Sequence, residues 1–144
     1  MKCFKNATVY VYGEGLKKRT LYFDERIEAI SLFGLKKAEV IELPEDAIVL
    51  PGFIDQHIHG AGGSDGMDGT VEDITTIAKT IAVEGTTSFL VTTMTQSPEN
   101  ITKALQAVKT YREMNSDEGA RVVGVHLEGP FIAPAFKGAQ PLEF

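Results

Sequence analysis

Near residue 50 the hydrophobic period of this chain changes, and that change constrains the fold more than any other feature. Residues 48–59 are apolar and strand-like, interrupted by Pro51-Gly52. A glycine-rich loop, 60–69, follows. Ile74, Ile77, Ala78, Ile81 and Ala82 then recur at helical spacing, with Thr70 as N-cap, Asp73 three residues on and Gly85 as the stop. Residues 86–94 form a β-branched run that reads as a buried strand. Ser97-Pro98 opens a second helix, whose stripe is Ile101, Ala104, Leu105, Val108 and Tyr111. Residues 121–127 form a third strand. This βαβαβ order requires a parallel sheet. Residues 129–144, rich in Pro, Gly and Ala, read as loop.

Before residue 50 the texture differs. Short strands over 3–12, 20–23, 26–33 and 39–43 are separated by glycines and charged turns. Alternation in Arg26-Ile27-Glu28-Ala29-Ile30 predicts an antiparallel sheet with one wet face. The expected fold class is therefore α/β, with a small antiparallel β segment ahead of parallel βα units.

Composition narrows the partners. With 43% apolar and 24% charged residues the chain is globular. A net charge of −6 disfavours nucleic acid. The basic runs Lys17-Lys18-Arg19 and Lys36-Lys37 read as solvated turns. No apolar stretch approaches the ~20 residues of a membrane span, and no signal-peptide core opens the chain. The single cysteine, Cys3, excludes an internal disulfide and suits the cytoplasm. No P-loop or nucleophile elbow is present.

Chemistry concentrates at two strand ends. In Asp55-Gln56-His57-Ile58-His59 alternate side chains share a face, spaced about 6.6–7 Å apart, so two imidazoles can lean onto one metal ion. The C-terminal ends of parallel strands are where α/β proteins place their sites. In His126-Leu127-Glu128-Gly129-Pro130-Phe131 a second strand end presents Glu128, as a metal ligand or a proton-transfer group. His126 reads as a non-ligand that orients its neighbours or simply sits satisfied. Asp55 reads as hydrogen-bonding support, and Asp65 and Asp68 as turn residues.

Pro51-Gly52-Phe53-Ile54-Asp55-x-His57-x-His59-Gly60 resembles the first barrel strand of the amidohydrolase superfamily. Residues 84–89, Thr92-Thr93, residues 126–131 and Lys137-Gly138-Ala139-Gln140-Pro141 resemble the N-acetylglucosamine-6-phosphate deacetylase family within it. The resemblance implies that residues 1–50 belong to a small β-sandwich domain and 51–144 to the first part of a (β/α)8 barrel, about three βα units. A complete barrel needs about 250 residues, so the expectation is an N-terminal portion.

The implied activity is metal-dependent removal of the acetyl group from N-acetyl-D-glucosamine 6-phosphate. The implied metal ligands are His57, His59 and Glu128, for one or two ions of zinc or iron. The implied substrate contacts are Ala139 and Gln140, and the implied partners are a phosphosugar and, for the full-length enzyme, a second copy in a homodimer. The family's catalytic aspartate and two further histidines belong to later strands, so no catalytic residue is assigned within 1–144, and the chain alone is expected to be inactive. A dihydroorotase-like or deaminase-like amidohydrolase and a non-catalytic metal-binding module are the alternatives.

Overall fold

The computed structural model describes residues 1–34, 37–114 and 116–144. Lys36 of the second basic run lies outside them. The chain forms two compact units, Met1–Pro51 and Gly52–Phe144. The architecture is α/β, with one mixed and one parallel sheet as its main layers.

In the first unit, β1 (Lys2–Val11), β2 (Gly15–Phe23) and β3 (Ile27–Ser31) form an antiparallel meander, and β4 (Glu39–Val40) and β5 (Ile48–Val49) both pair with β1. Those last two pairings are parallel, so the expected antiparallel sheet is mixed. Alternation reports which residues share a face and carries no information on strand direction. The chain passes from β3 at one edge to the far side of β1 and so arrives running with it. Lys17, Lys18 and Arg19 lie within β2 instead of a turn. Lys17 and Lys18 are exposed there, while Arg19 is partly buried and pairs with Glu14 at 3.1 Å. The core of this unit is small: Ala7, Val9 and Leu21, backed by Phe4, Phe23, Leu43 and Val49. Ile27, expected on a dry face, is 67% exposed at the β3 edge.

In the second unit β6 (Phe53–Ile58) leads into a small hairpin, β7 (Gly60–Ala61) and β8 (Ser64–Asp65). A 3-10 turn, Gly66–Asp68, follows. Asp65 Oδ1 accepts from Met67 N at 2.8 Å, and Asp68 Oδ2 accepts from Asp65 N at 2.8 Å. Both carboxylates therefore serve the turn. Helix α1 (Val71–Val83) is capped by Thr70, whose hydroxyl accepts from Asp73 N at 3.1 Å and donates to the Asp73 carboxylate. The Thr70 hydroxyl, a second bond from Ser64 and the field of Lys103 hold the Asp73 carboxyl below its usual range, against a raising contribution from burial.

Strand β9 (Thr86–Thr92), helix α2 (Pro98–Met114) and strand β10 (Arg121–His126) complete the unit. Ser97 Oγ caps α2 by accepting from Asn100 N at 3.2 Å. The sheet order is β10-β9-β6, all parallel. Ile74, Ile77, Ala78 and Ile81 of α1 join Val108 and Tyr111 of α2 in one core with Phe89, Val91 and Val122. Ala107 is buried, whereas Leu105 of the expected stripe is 38% exposed. Leu105 borders an open groove with Gly124 and Val125, where nothing beyond β10 covers it among the described residues. No helix of the described residues is long and apolar enough to cross a membrane.

Candidate metal centre

The site is assembled at the C-terminal ends of the parallel strands. His57 lies in β6 and His59 just past its end. Asp55 Oδ1 accepts from His57 N at 3.0 Å, so the aspartate steadies the backbone that carries the imidazole. The β6–β9 register is broken between Asp55 and Ile58. There Ile58 N donates to Thr92 Oγ1 at 3.0 Å. Gly66 N donates to His59 O at 2.7 Å and ties the following loop to the same strand end.

Three lone-pair atoms converge. His57 Nε2 and His59 Nε2 are 3.3 Å apart, and Glu128 Oε2 lies 3.1 Å from the first and 3.3 Å from the second. Neighbouring ligands of a tetrahedral zinc ion, bound at about 2.0–2.1 Å, are themselves about 3.3 Å apart. The triangle therefore has the edge length of a tetrahedral coordination face. Glu128 Oε2 is buried and, despite its ion-pair distances, makes no hydrogen bond of acceptable angle; His59 Nδ1 is likewise buried without a partner. A buried, unpaired carboxylate oxygen is costly, and two imidazoles plus one carboxylate form a donor set suited to a divalent cation. These residues fit a metal ion.

His126 stands beside this group and outside it. Its Nδ1 donates to Gln56 O at 3.0 Å, because a carbonyl can only accept. Its ring meets His57 edge-on, with centroids 4.6 Å apart. It therefore packs against His57 and ties its own ring to the β6 backbone.

Glu128 is held from the segment that follows β9. Its N–H lies 3.1 Å from both Thr93 Oγ1 and His126 O, while Thr93 Oγ1 lies 3.4 Å from Glu128 O. Thr95 Oγ1 donates to Gly129 O at 2.7 Å. Gly129 has φ +87, and a Cβ there would lie 2.0 Å from Thr95 Oγ1, so only glycine allows this approach. Gln140 Nε2 donates to Glu128 Oε1 at 2.7 Å, and Gln140 Oε1 accepts from Thr95 N at 2.9 Å. The two expected substrate contacts thus differ: Ala139 is exposed and Gln140 is 6% exposed. Thr92, Thr93 and Thr95, all buried, are structural members of the site that sequence reasoning did not assign. Their signal was present as three threonines in four positions at a strand end.

Known proteins resemble this chain over most of its length. A model of the amidohydrolase family matches residues 48–143. The chain is 42% identical over 125 residues to an N-acetylglucosamine-6-phosphate deacetylase of Bacillus subtilis (strain 168), covering 84% of this chain and 32% of that protein. It is 34% identical over 146 residues to one of Vibrio furnissii, covering 99% and 36%. It is 38% identical over 96 residues to an N-acetylgalactosamine-6-phosphate deacetylase of Escherichia coli O157:H7, covering 67% and 25%. Among solved structures, the N-acetylglucosamine-6-phosphate deacetylase of Pasteurella multocida superposes with a TM-score of 0.82 at 27% identity, over 99% of this chain and 38% of that one. The enzyme of that name from Thermotoga maritima gives 0.77 at 26%, over 96% and 35%. The chain thus spans 25–36% of the length of these three curated relatives.

Proposed function

Because the chain belongs to the amidohydrolase family, we propose that it carries part of the metal site of an enzyme that hydrolyses N-acetyl-D-glucosamine 6-phosphate to glucosamine 6-phosphate and acetate. The observation that carries this is the triangle of His57 Nε2, His59 Nε2 and Glu128 Oε2, with edges of 3.1–3.3 Å at the ends of two parallel strands. His57 and His59 offer neutral imidazole lone pairs, and Glu128 adds a negative charge. A divalent ion, zinc or iron, as one or two ions, supplies Lewis acidity and a low-pKa water.

The chain's own residues do the holding. Asp55 and Thr92 steady the backbone around His57, and His126 packs against its ring. Thr93 sets the Glu128 backbone. The loop of residues 137–141 is the substrate side, with Ala139 exposed for contact and Gln140 beside it. The amide C–N bond breaks, water supplies oxygen to acetate, and a proton goes to the leaving amine; no residue of this chain is assigned as the acid–base.

In the same reading residues 1–50 are part of a small β-sandwich and 51–144 the first part of a (β/α)8 barrel. The parallel order β10-β9-β6, with a helix after β6 and after β9, supports the barrel. The reading also places the enzyme in the cytoplasm as a homodimer; a lone, buried, unpaired Cys3 supports the reducing compartment. A second sugar, N-acetyl-D-galactosamine 6-phosphate, is favoured by the E. coli relative.

The test is acetate release from both sugar phosphates by the intact protein that carries this sequence, with and without chelator. Chelation and the double change His57→Ala/His59→Ala are expected to remove both turnover and bound metal. Chelator-insensitive turnover, or unchanged metal content in the double variant, would overturn the proposal.

A further inference from the structure

We infer that Gln140 is a positioning residue that orients the Glu128 carboxylate, so that Oε2 and not Oε1 is presented to the imidazoles; this rests on the proposed metal site. Glu128 lies past the end of β10, and Thr93 fixes only its backbone. Its side chain keeps three torsions, the last of them broad. One oxygen must be held if the other is to stay beside His57 and His59. Gln140 Nε2, 2.7 Å from Oε1, does this.

The orientation of the amide is chemically determined. A carboxylate only accepts and a backbone N–H only donates, so Nε2 must face Glu128 and Oε1 must face Thr95 N. The loop is itself closed: Gln140 N donates to Lys137 O at 3.0 Å, and Lys137 Nζ donates to Gln140 O at 3.1 Å. Both ends of a 6%-exposed amide are thus engaged inside the protein. Gln140 acts through Glu128, while the exposed Ala139 keeps the substrate side. An uncharged donor also has a specific merit here. It orders the carboxylate without neutralising it, as a lysine or arginine would.

The experiment is cobalt(II) titration of the full chain, followed by calorimetry and visible absorption, for wild type, Gln140→Met and Gln140→Ala. Methionine keeps the side-chain length and lacks the donor. Both variants are expected to raise the cobalt dissociation constant about 10–100-fold, the usual effect of removing a partner of a metal ligand. Both are also expected to alter the visible bands. Separately, in the metal-free wild type the Gln140 side-chain amide protons should exchange slowly with solvent in 15N-edited spectra. That readout needs no variant to fold. Unchanged affinity and spectrum in both variants, or a freely exchanging amide, would overturn the inference alone. A wild-type chain that takes up no cobalt would overturn the metal site with it.

Discussion

The outer strands of the parallel sheet and its central strand end in different chemistry. β6 and β10 lead to the proposed metal ligands, with the His57 and Glu128 side chains 51% and 27% exposed. β9 leads to Thr92 and Thr93, at 0% and 1%. The difference separates two jobs. Ligands need free lone pairs and access, so their side chains cannot also anchor the backbone. The buried central strand anchors it for them. Thr92 reaches one neighbour through Ile58 N, while Thr93 and Thr95 reach the other through Glu128 and Gly129. A threonine hydroxyl both donates and accepts, and its branched Cβ restricts χ1.

The strongest way to break this division is to separate β9 from the Glu128 loop. Gly129→Ala puts a Cβ 2.0 Å from Thr95 Oγ1 and 2.9 Å from Thr95 N, at φ +87. A strained φ and overpacking together cost about 3 kcal/mol or more. Denaturant midpoints should show that loss, and metal uptake should disappear with it. A stable alanine variant that binds metal normally would mean that β9 does not set the site.

A gentler change tests the anchors singly. Thr92→Val and Thr93→Val keep shape and remove one hydroxyl each. Each is expected to cost about 1–2 kcal/mol, because a buried partner loses its bond. Each should also weaken metal binding, through β6 in the first case and through Glu128 in the second. Thr86→Val, at the other end of β9, is the control and should leave metal affinity unchanged. Equal effects from all three would erase the distinction between the two ends of the strand.

Much of this was legible from local rules. The period-two spacing of His57 and His59 puts both rings on one side, and their Nε2 atoms do meet at 3.3 Å. Thr70 and Ser97 cap their helices because cap chemistry is decided within three residues. What depends on distant contacts was not legible. Gln140 meets Glu128 across a loop whose path no periodicity encodes. The anchoring roles of Thr92, Thr93 and Thr95 at the end of β9 had no local signature, since their hydroxyl partners lie 34 or more residues away. Leu105 fits the helical stripe and is still 38% exposed, because it borders the open groove beside β10.

The smallest expected effect lies away from β9, at the start of α1, and it sharpens the comparison by sparing the ligands. Thr70→Ala removes the cap of α1 and should cost about 1 kcal/mol. Asp73 titrates with that cap: its folded pKa is lowered from 3.8, chiefly by the Thr70 hydroxyl and then by Ser64. A lowered folded pKa means the stabilisation is fully present above the unfolded value and fades as pH falls through the folded one. The thermal midpoints of wild type and Asp73→Asn should therefore converge as pH drops below 3.8. At neutral pH neither Thr70→Ala nor Asp73→Asn should change metal affinity, because this cap touches α1 and the hairpin before it and none of the three ligands. If Thr70→Ala weakens metal binding as much as Thr93→Val does, anchoring is spread through the whole unit, and β9 has no special part in it.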